Sequence, residues 1–232
     1  MAKAGIISVS NLPKGLTGLC VASLGDPVRT HLCDPSNLWQ PEGDTLKLGS
    51  RSTVTLIHIN GSAYVLKQYK ALSLRRRIRY ALTRSRAKQS WEVGLAMVDA
   101  GVSIAQPLAL IEEKTCGIPA RAALLLEHID GLDLLTHANK FTREELEEIA
   151  VKLTDVFSCM KENLITHGDM KASNIIIDKE LRPWLIDIDA AVIHRSRASF
   201  QKLRTKDRDR FMKNWQQQPE VAQVFADVFG KS

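Results

Sequence analysis

His167-Gly168-Asp169-Met170-Lys171-Ala172-Ser173-Asn174, followed after the apolar run Trp184-Leu185-Ile186 by Asp187, is the stretch on which the reading of this chain turns. It gathers a carboxylate, a cation and two oxygen donors suited to a hard metal ion. Moving a γ-phosphoryl group from ATP to an alcohol calls for such a set: a carboxylate to orient the hydroxyl and accept its proton, cations against the phosphates, and oxygen ligands for Mg²⁺. Asp169 suits the first need. Lys171 is placed to meet the γ-phosphate as a point charge.

Spacing sharpens the assignment. Asn174 follows Asp169 by five residues, the separation in the kinase catalytic-loop pattern H-R-D-x-x-x-x-N. Asn174 and Asp187 are therefore the candidate metal ligands, with Asp187 held at the end of a short apolar strand. His167 joins Asp169 and Lys171 as a candidate catalytic residue; the alternative is that it braces the loop by hydrogen bonding and takes no proton. Each piece alone is ordinary in a surface turn. What carries weight is their order, with Ile175-Ile176-Ile177 leading out of the loop as a strand.

Upstream, residues 53–59 are rich in β-branched side chains, Asn60-Gly61 is a two-residue turn signal, and Ala63-Tyr64-Val65-Leu66-Lys67 resumes a strand. Lys67 on the second arm of this hairpin is the candidate grip on the α- and β-phosphates. Glu92 is the candidate glutamate that holds it, on a helix whose predicted apolar stripe is Trp91, Leu95 and Val98. Leu48-Gly49-Ser50-Arg51-Ser52-Thr53 is the candidate phosphate-covering loop, with Gly49 alone where the protein-kinase pattern has three glycines. Residues 108–112 and 122–127 read as strands joined by a turn containing Cys116-Gly117 and Pro119. The chain leaving them, at Glu127 and Ile129, is where backbone groups are expected to pair with adenine. Thr142 and Glu145 form a capping box at the head of a helix whose core face is Leu146, Ile149, Leu153, Val156, Phe157 and Met160.

At 232 residues and 44% apolar the chain can bury a sizeable core. No uncharged apolar run approaches the ~20 residues a membrane helix needs. Residues 1–8 offer too short an apolar core for a signal peptide. The four cysteines, with no C-x-x-C pair among them, speak against a disulfide framework or zinc site and for a reducing cytosol. The formal net charge of +6 is concentrated. Residues 70–88 carry Arg75-Arg76-Arg77 and further basic residues with no acidic one, and 194–213 is basic with Asp207 and Asp209 interspersed. Both runs suit an anionic surface; nucleic acid is not expected, since no reading module is present and aromatics are 6%.

Tyr64-Val65-Leu66-Lys67, Trp91-Glu92, the 167–174 segment, Leu185-Ile186-Asp187-Ile188-Asp189 and Asp209-Arg210-Phe211-Met212-Lys213-Asn214-Trp215 together resemble the bacterial lipopolysaccharide kinases that phosphorylate Kdo or heptose in the inner core. The resemblance implies an α+β, bilobal, protein-kinase-like fold. Residues 1–130 would form an N-lobe of small antiparallel sheet, and 131–232 a mainly helical, shortened C-lobe. It implies ATP and Mg²⁺ as cofactors, with Asp169 as base, Asn174 and Asp187 on the metal, and Lys67 with Glu92 on the phosphates. Asp189 stands where a protein kinase has glycine, so Asp-Phe-Gly switching is not carried over.

With no Ala-Pro-Glu sequence after Asp187, no peptide-docking platform is expected, and the acceptor is expected to be the lipopolysaccharide core glycolipid. The two basic stretches would then hold a cytoplasmic enzyme peripherally on the anionic inner membrane. A small-molecule or protein acceptor, and a pseudokinase scaffold, are the alternatives; oligomeric state is not legible. Residues 1–45, with Pro35, Trp39, Pro41 and Gly43, read as loops.

Overall fold

Asn60 and Gly61 both take positive φ, 50° and 80°, the backbone a tight hairpin turn requires. In the computed structural model, which describes residues 5–70, 85–115 and 118–229, that turn joins two strands of a seven-stranded antiparallel sheet. In chain order these are β1 Ile6–Ser8, β2 Leu16–Val21, β3 Asp44–Leu48, β4 Ser52–Ile59, β5 Ser62–Tyr69, β6 Pro107–Thr115 and β7 Ile118–Glu127. Their lateral order is β1-β2-β6-β7-β5-β4-β3. Helices α1 Asp26–Leu32, α2 Pro35–Trp39 and α3 Arg86–Asp99 accompany them.

Successive side chains of β5 point to opposite faces, and both faces are covered. The Gln68 amide donates to the Leu38 carbonyl of α2 on one side. The Tyr69 hydroxyl bonds Ser90 of α3 on the other. A strand between two layers has no solvent side, which explains why its neighbour β7 carries the unbroken buried run Ala122-Ala123-Leu124-Leu125. The outer strand β3 is exposed along its length and carries a register irregularity between Thr45 and Lys47, a feature that discourages pairing with another chain.

Two sequence expectations change here. Residues 1–45 are not all loop: β1 and β2 extend the sheet beyond β6, and Asp34 caps α2 ahead of Pro35. Pro119, expected in a turn, pairs with Lys114 within β7. It sits at a register shift between Glu113 and Lys114, where a missing amide costs little. Cys116 and Gly117 of the same turn lie outside the described residues.

The chain divides into two compact units, Met1–Glu92 with Gln106–His128, and Val93–Ala105 with Ile129–Ser232. Val93–Ala105 falls inside the lobe drawn from sequence as 1–130, yet Met97, Val102 and Ile104 belong to the second unit's core. Helix α3 contributes to both units, and its buried positions, Ala87, Ser90, Trp91, Val93, Gly94 and Met97, are broader than the expected stripe, of which Leu95 and Val98 are only partly buried.

The second unit adds β8 Leu132–Asp133, α4 Leu134–His137, α5 Arg143–Glu162, β9 Ile165–Thr166, β10 Ile175–Ile177, β11 Pro183–Leu185, β12 Val192–Ile193, α6 Arg197–Lys213 and α7 Pro219–Phe229. The capping box of α5 closes in both directions, Thr142 Oγ1 accepting from the Glu145 amide and Glu145 from the Thr142 amide. Its expected face is buried, with Phe157 partly so. Rings join α7 to both α6 and α5: Phe211 of α6 lies 4.9 Å from Phe225, centroid to centroid, and 5.7 Å from Trp215 just beyond its own helix, and Phe157 of α5 lies 5.5 Å from Phe229. Such pairs contribute about 0.5–1.5 kcal/mol each beyond the area they bury. No helix among the described residues is long and apolar enough to cross a membrane.

Candidate active site

The 167–174 loop is held by hydrogen bonds from within and from α6. Gly168 has φ +77°, and a Cβ there would meet the Ala190 carbonyl oxygen at 2.3 Å, so neither the backbone nor the space admits another residue without a shift. His167 is 0% exposed. Its Nε2 lies 3.0 Å from the Ile186 carbonyl and its Nδ1 3.3 Å from the Asp169 amide. An amide can only donate and a carbonyl only accept, which assigns the neutral Nε2–H tautomer. Burial pushes the imidazole below its ordinary range, outweighing the nearby Asp207, Asp187 and Asp169 carboxylates and the Ile186 carbonyl. Both ring nitrogens are thus occupied in bracing the loop.

Asp207 of α6 completes the brace. It is 8% exposed, and its Oδ2 accepts from the amides of His167 at 2.8 Å and Gly168 at 3.1 Å. In sequence it reads only as a charge within a basic run. The signal that could have found it is position: Phe200, Asp207 and Phe211 are the buried residues of α6, so a carboxylate stands in the helix's core stripe.

Asp169 comes out of this rigid loop partly exposed. Its Oδ1 pairs with Arg210 of α6 at 2.5 Å and its Oδ2 with Lys171 at 3.3 Å. Arg210 is not among the site residues that the sequence singles out. Asn174 is buried, and its amide nitrogen donates to the Asp169 backbone carbonyl at 2.9 Å. That fixes the amide orientation and leaves the side-chain oxygen as an acceptor.

The β10–β11 hairpin carries Asn174 and Asp187 to one end. Ile175 pairs with Leu185 and the Ile186 amide donates to the Asn174 carbonyl, so Asp187 follows directly on the residue facing Asn174. Asp187 takes a left-handed backbone, φ 57° and ψ 51°, a conformation that costs a non-glycine residue free energy and recurs at functional sites. The turn of the hairpin is tied by Asp178, which accepts from the amides of Glu180 and Arg182 and the Trp184 indole. Partial burial pushes the Asp178 carboxyl up, but these donors, with the Arg182 charge, together hold it below the usual range.

In the first unit Lys67 is 5% exposed, on the β5 face covered by α3, with its ammonium 5.6 Å from the Tyr69 ring centroid. Its charge is therefore not in water. Glu92 lies partly buried two residues beyond Ser90 on α3. Gly49 sits in the β3–β4 turn, its amide donating to the Ser52 carbonyl at 3.0 Å. The Glu127 amide is already donated to the Gln106 carbonyl at 2.9 Å; Ile129 opens the second unit's C-terminal segment. Of the basic stretches, residues 71–84 lie outside the described residues, while the 194–213 stretch is mostly α6.

Residues 38–226 match a family model described as the lipopolysaccharide kinase (Kdo/WaaP) family. A 3-deoxy-D-manno-octulosonic acid kinase of Xylella fastidiosa (strain M23) is 24% identical over 163 residues, 67% of this chain and 64% of the relative. The protein of the same name from Vibrio cholerae serotype O1 (strain ATCC 39315 / El Tor Inaba N16961) is 25% identical over 172 residues, 71% of this chain and 72% of the relative.

Proposed function

Since the chain belongs to the lipopolysaccharide kinase (Kdo/WaaP) family, we propose that it transfers the γ-phosphoryl group of ATP to a sugar hydroxyl of the lipopolysaccharide inner core, on Kdo or heptose. The observation that carries this reading is Asp169, presented at the edge of a loop braced by His167, Asp207 and Asn174. Such a carboxylate spends little of its positioning during turnover.

Asp169 orients the acceptor hydroxyl and takes its proton as the oxygen bonds to phosphorus and the bond to the departing diphosphate breaks. Lys171 stands beside it to offset charge on the transferring oxygens. His167 acts as a positioning residue. Asn174 and Asp187 offer two hard oxygen donors on one hairpin end, a set that fits Mg²⁺ bound through few protein groups with phosphate and water supplying the rest. Asp189 ranks below Asp187 as a further donor. The metal would neutralise phosphate charge there. Lys67, positioned by Glu92, is assigned to the α- and β-phosphates, the Gly49 turn to covering them, and the backbone at Glu127 and Ile129 to adenine. With the Glu127 amide already donated, adenine pairing there falls to its carbonyl and to Ile129. In this reading the two units act as the N- and C-lobes of a protein-kinase-like enzyme.

Acceptor and location follow the same reading. The basic residues of 70–88 and 194–213 would hold the enzyme peripherally on the cytoplasmic face of the inner membrane, each contributing about 1 kcal/mol near an anionic surface. Sedimentation with anionic vesicles should weaken as salt rises; binding indifferent to salt would remove the membrane part. The deciding experiment is ATP turnover with purified core glycolipid and mapping of the product phosphate. Asp187→Ala should weaken Mg·ATP binding itself. Absence of transfer to any core sugar would end the proposal.

A further inference from the structure

The α6 helix does more than brace the loop. Lys206, Arg210 and Lys213 fall on one helical face at three- and four-residue spacing. With Gly168 and Lys171 they line an open cleft of about 540 Å³ beside the catalytic loop, wholly within the second unit. Two carboxylates also line it, Asp207 and Asp209, but Asp207 is committed to the loop amides. Lys206 and Lys213 have no ion-pair partner among the described residues. A cleft in which cations outnumber carboxylates, next to the proposed base, is built for an anion.

Arg210 links that cleft to the base. Each Asp169 oxygen faces a cation, Oδ1 Arg210 and Oδ2 Lys171, so a hydroxyl approaching Oδ1 competes with Arg210 for it and gains that oxygen fully when Arg210 leaves. The Arg210 side chain is 47% exposed. An ion pair so open to water is weak and readily exchanged, whereas the Asp207 carboxylate is itself buried.

We propose that α6 is the acceptor-reading element: Lys206, Arg210 and Lys213 bind an anionic group of the acceptor, a carboxylate or a phosphate, and Arg210 passes from Asp169 to that anion as the acceptor arrives. The hydroxyl then finds Asp169 Oδ1 uncovered. A neutral sugar has nothing to draw Arg210 away, so the exchange selects acidic acceptors at the step that uncovers the base. This rests on the phosphoryl-transfer reading of Asp169, but the anion site itself is testable without turnover.

Calorimetry on the full chain should be run with three probes: a methyl glycoside of 3-deoxy-D-manno-octulosonic acid, its methyl ester, and inorganic phosphate. The acid should bind at least about tenfold more tightly than the ester, and K206Q/K213Q should erase that margin while K206R/K213R keeps it. Preference for phosphate over the acid would assign the anion to a phosphorylated sugar, within the same proposal. In turnover, K206Q/K213Q should raise KM for the glycolipid at least about tenfold with KM for ATP unchanged. Equal binding of acid and ester by a parent that also fails to bind inorganic phosphate, or binding of the preferred anion that is equal in parent and K206Q/K213Q, overturns the proposal and leaves the kinase reading standing. Charge-dependent binding in a protein that transfers no phosphate keeps the anion site and overturns the kinase reading.

Discussion

The β3–β4 turn at Gly49 and the 167–174 loop are both assigned to the handling of phosphate, yet they are built in opposite ways. The turn rides on an edge strand: β3 is exposed throughout, Leu48 is 77% exposed, and the turn is closed by the Gly49 amide on the Ser52 carbonyl. The loop is fixed by a buried histidine, a buried aspartate from α6, and a glycine pressed against the Ala190 carbonyl. A segment that covers a nucleotide has to open and close and is drawn from the low-stability end of a structure. A segment that presents a base must hold it within about 0.5 Å of its working position.

The comparison is broken most forcefully at the base. Asp169→Ala should lower turnover roughly 10²–10⁴-fold with ATP binding kept, the scale of lost general base assistance. Gly49→Ala, whose Cβ meets only the Ser52 carbonyl at 3.1 Å, should alter kcat less than about threefold and stability by under about 1 kcal/mol. Parent-rate transfer by the Asp169 variant would overturn the assignment.

Next in size is the brace. Asp207→Ala strands the buried His167 amide and the part-buried Gly168 amide and should cost roughly 1–3 kcal/mol, seen as a lower urea midpoint at unchanged slope, with a fall in kcat larger than the stability loss explains. Gly168→Ala forces a left-handed alanine against a carbonyl and should cost on the order of 1–3 kcal/mol. Were either as mild as Gly49→Ala, the loop would not be the rigid partner in the pair.

The smallest effect is in pH. The folded His167 has its pKa lowered by burial, so the unfolded chain binds the proton more readily. Its contribution to stability is complete above the ordinary histidine value of about 6.5 and is lost as pH falls below it. The buried ring faces Asp207, Asp187 and Asp169, which oppose the shift without reversing it. The unfolding free energy of the parent relative to His167→Gln should therefore fall as pH drops below about 6.5 and stay constant above it, and a difference that is flat from about pH 5 to 8 would show that the ring does not titrate on unfolding.

The β4–β5 hairpin, the α5 cap and the 167–187 segment are legible in the sequence because their signals are local: a turn pair, a capping box, a fixed spacing. Asp207 and Arg210 are not, because their partners lie about forty residues away in sequence and one face of α6 hides in a charge run. The β1 strand escapes notice for a different reason. It is exposed at Ile6, Ile7 and Ser8, so no alternation of apolar and polar residues marks it, and its pairing with β2 is set by the backbone. Lys67 can be named from its hairpin, but its near-complete burial depends on α3, which the strand alone does not announce.

The rings that fasten α7 to α6 give distant residues a say in how the 167–174 loop is braced. Phe225 and Phe229 hold Phe211 in place, and Phe211 is the next turn of α6 after Asp207. A premature stop before α7 would spare every side chain assigned to the reaction and still read, in a genetic screen, as an inactive allele.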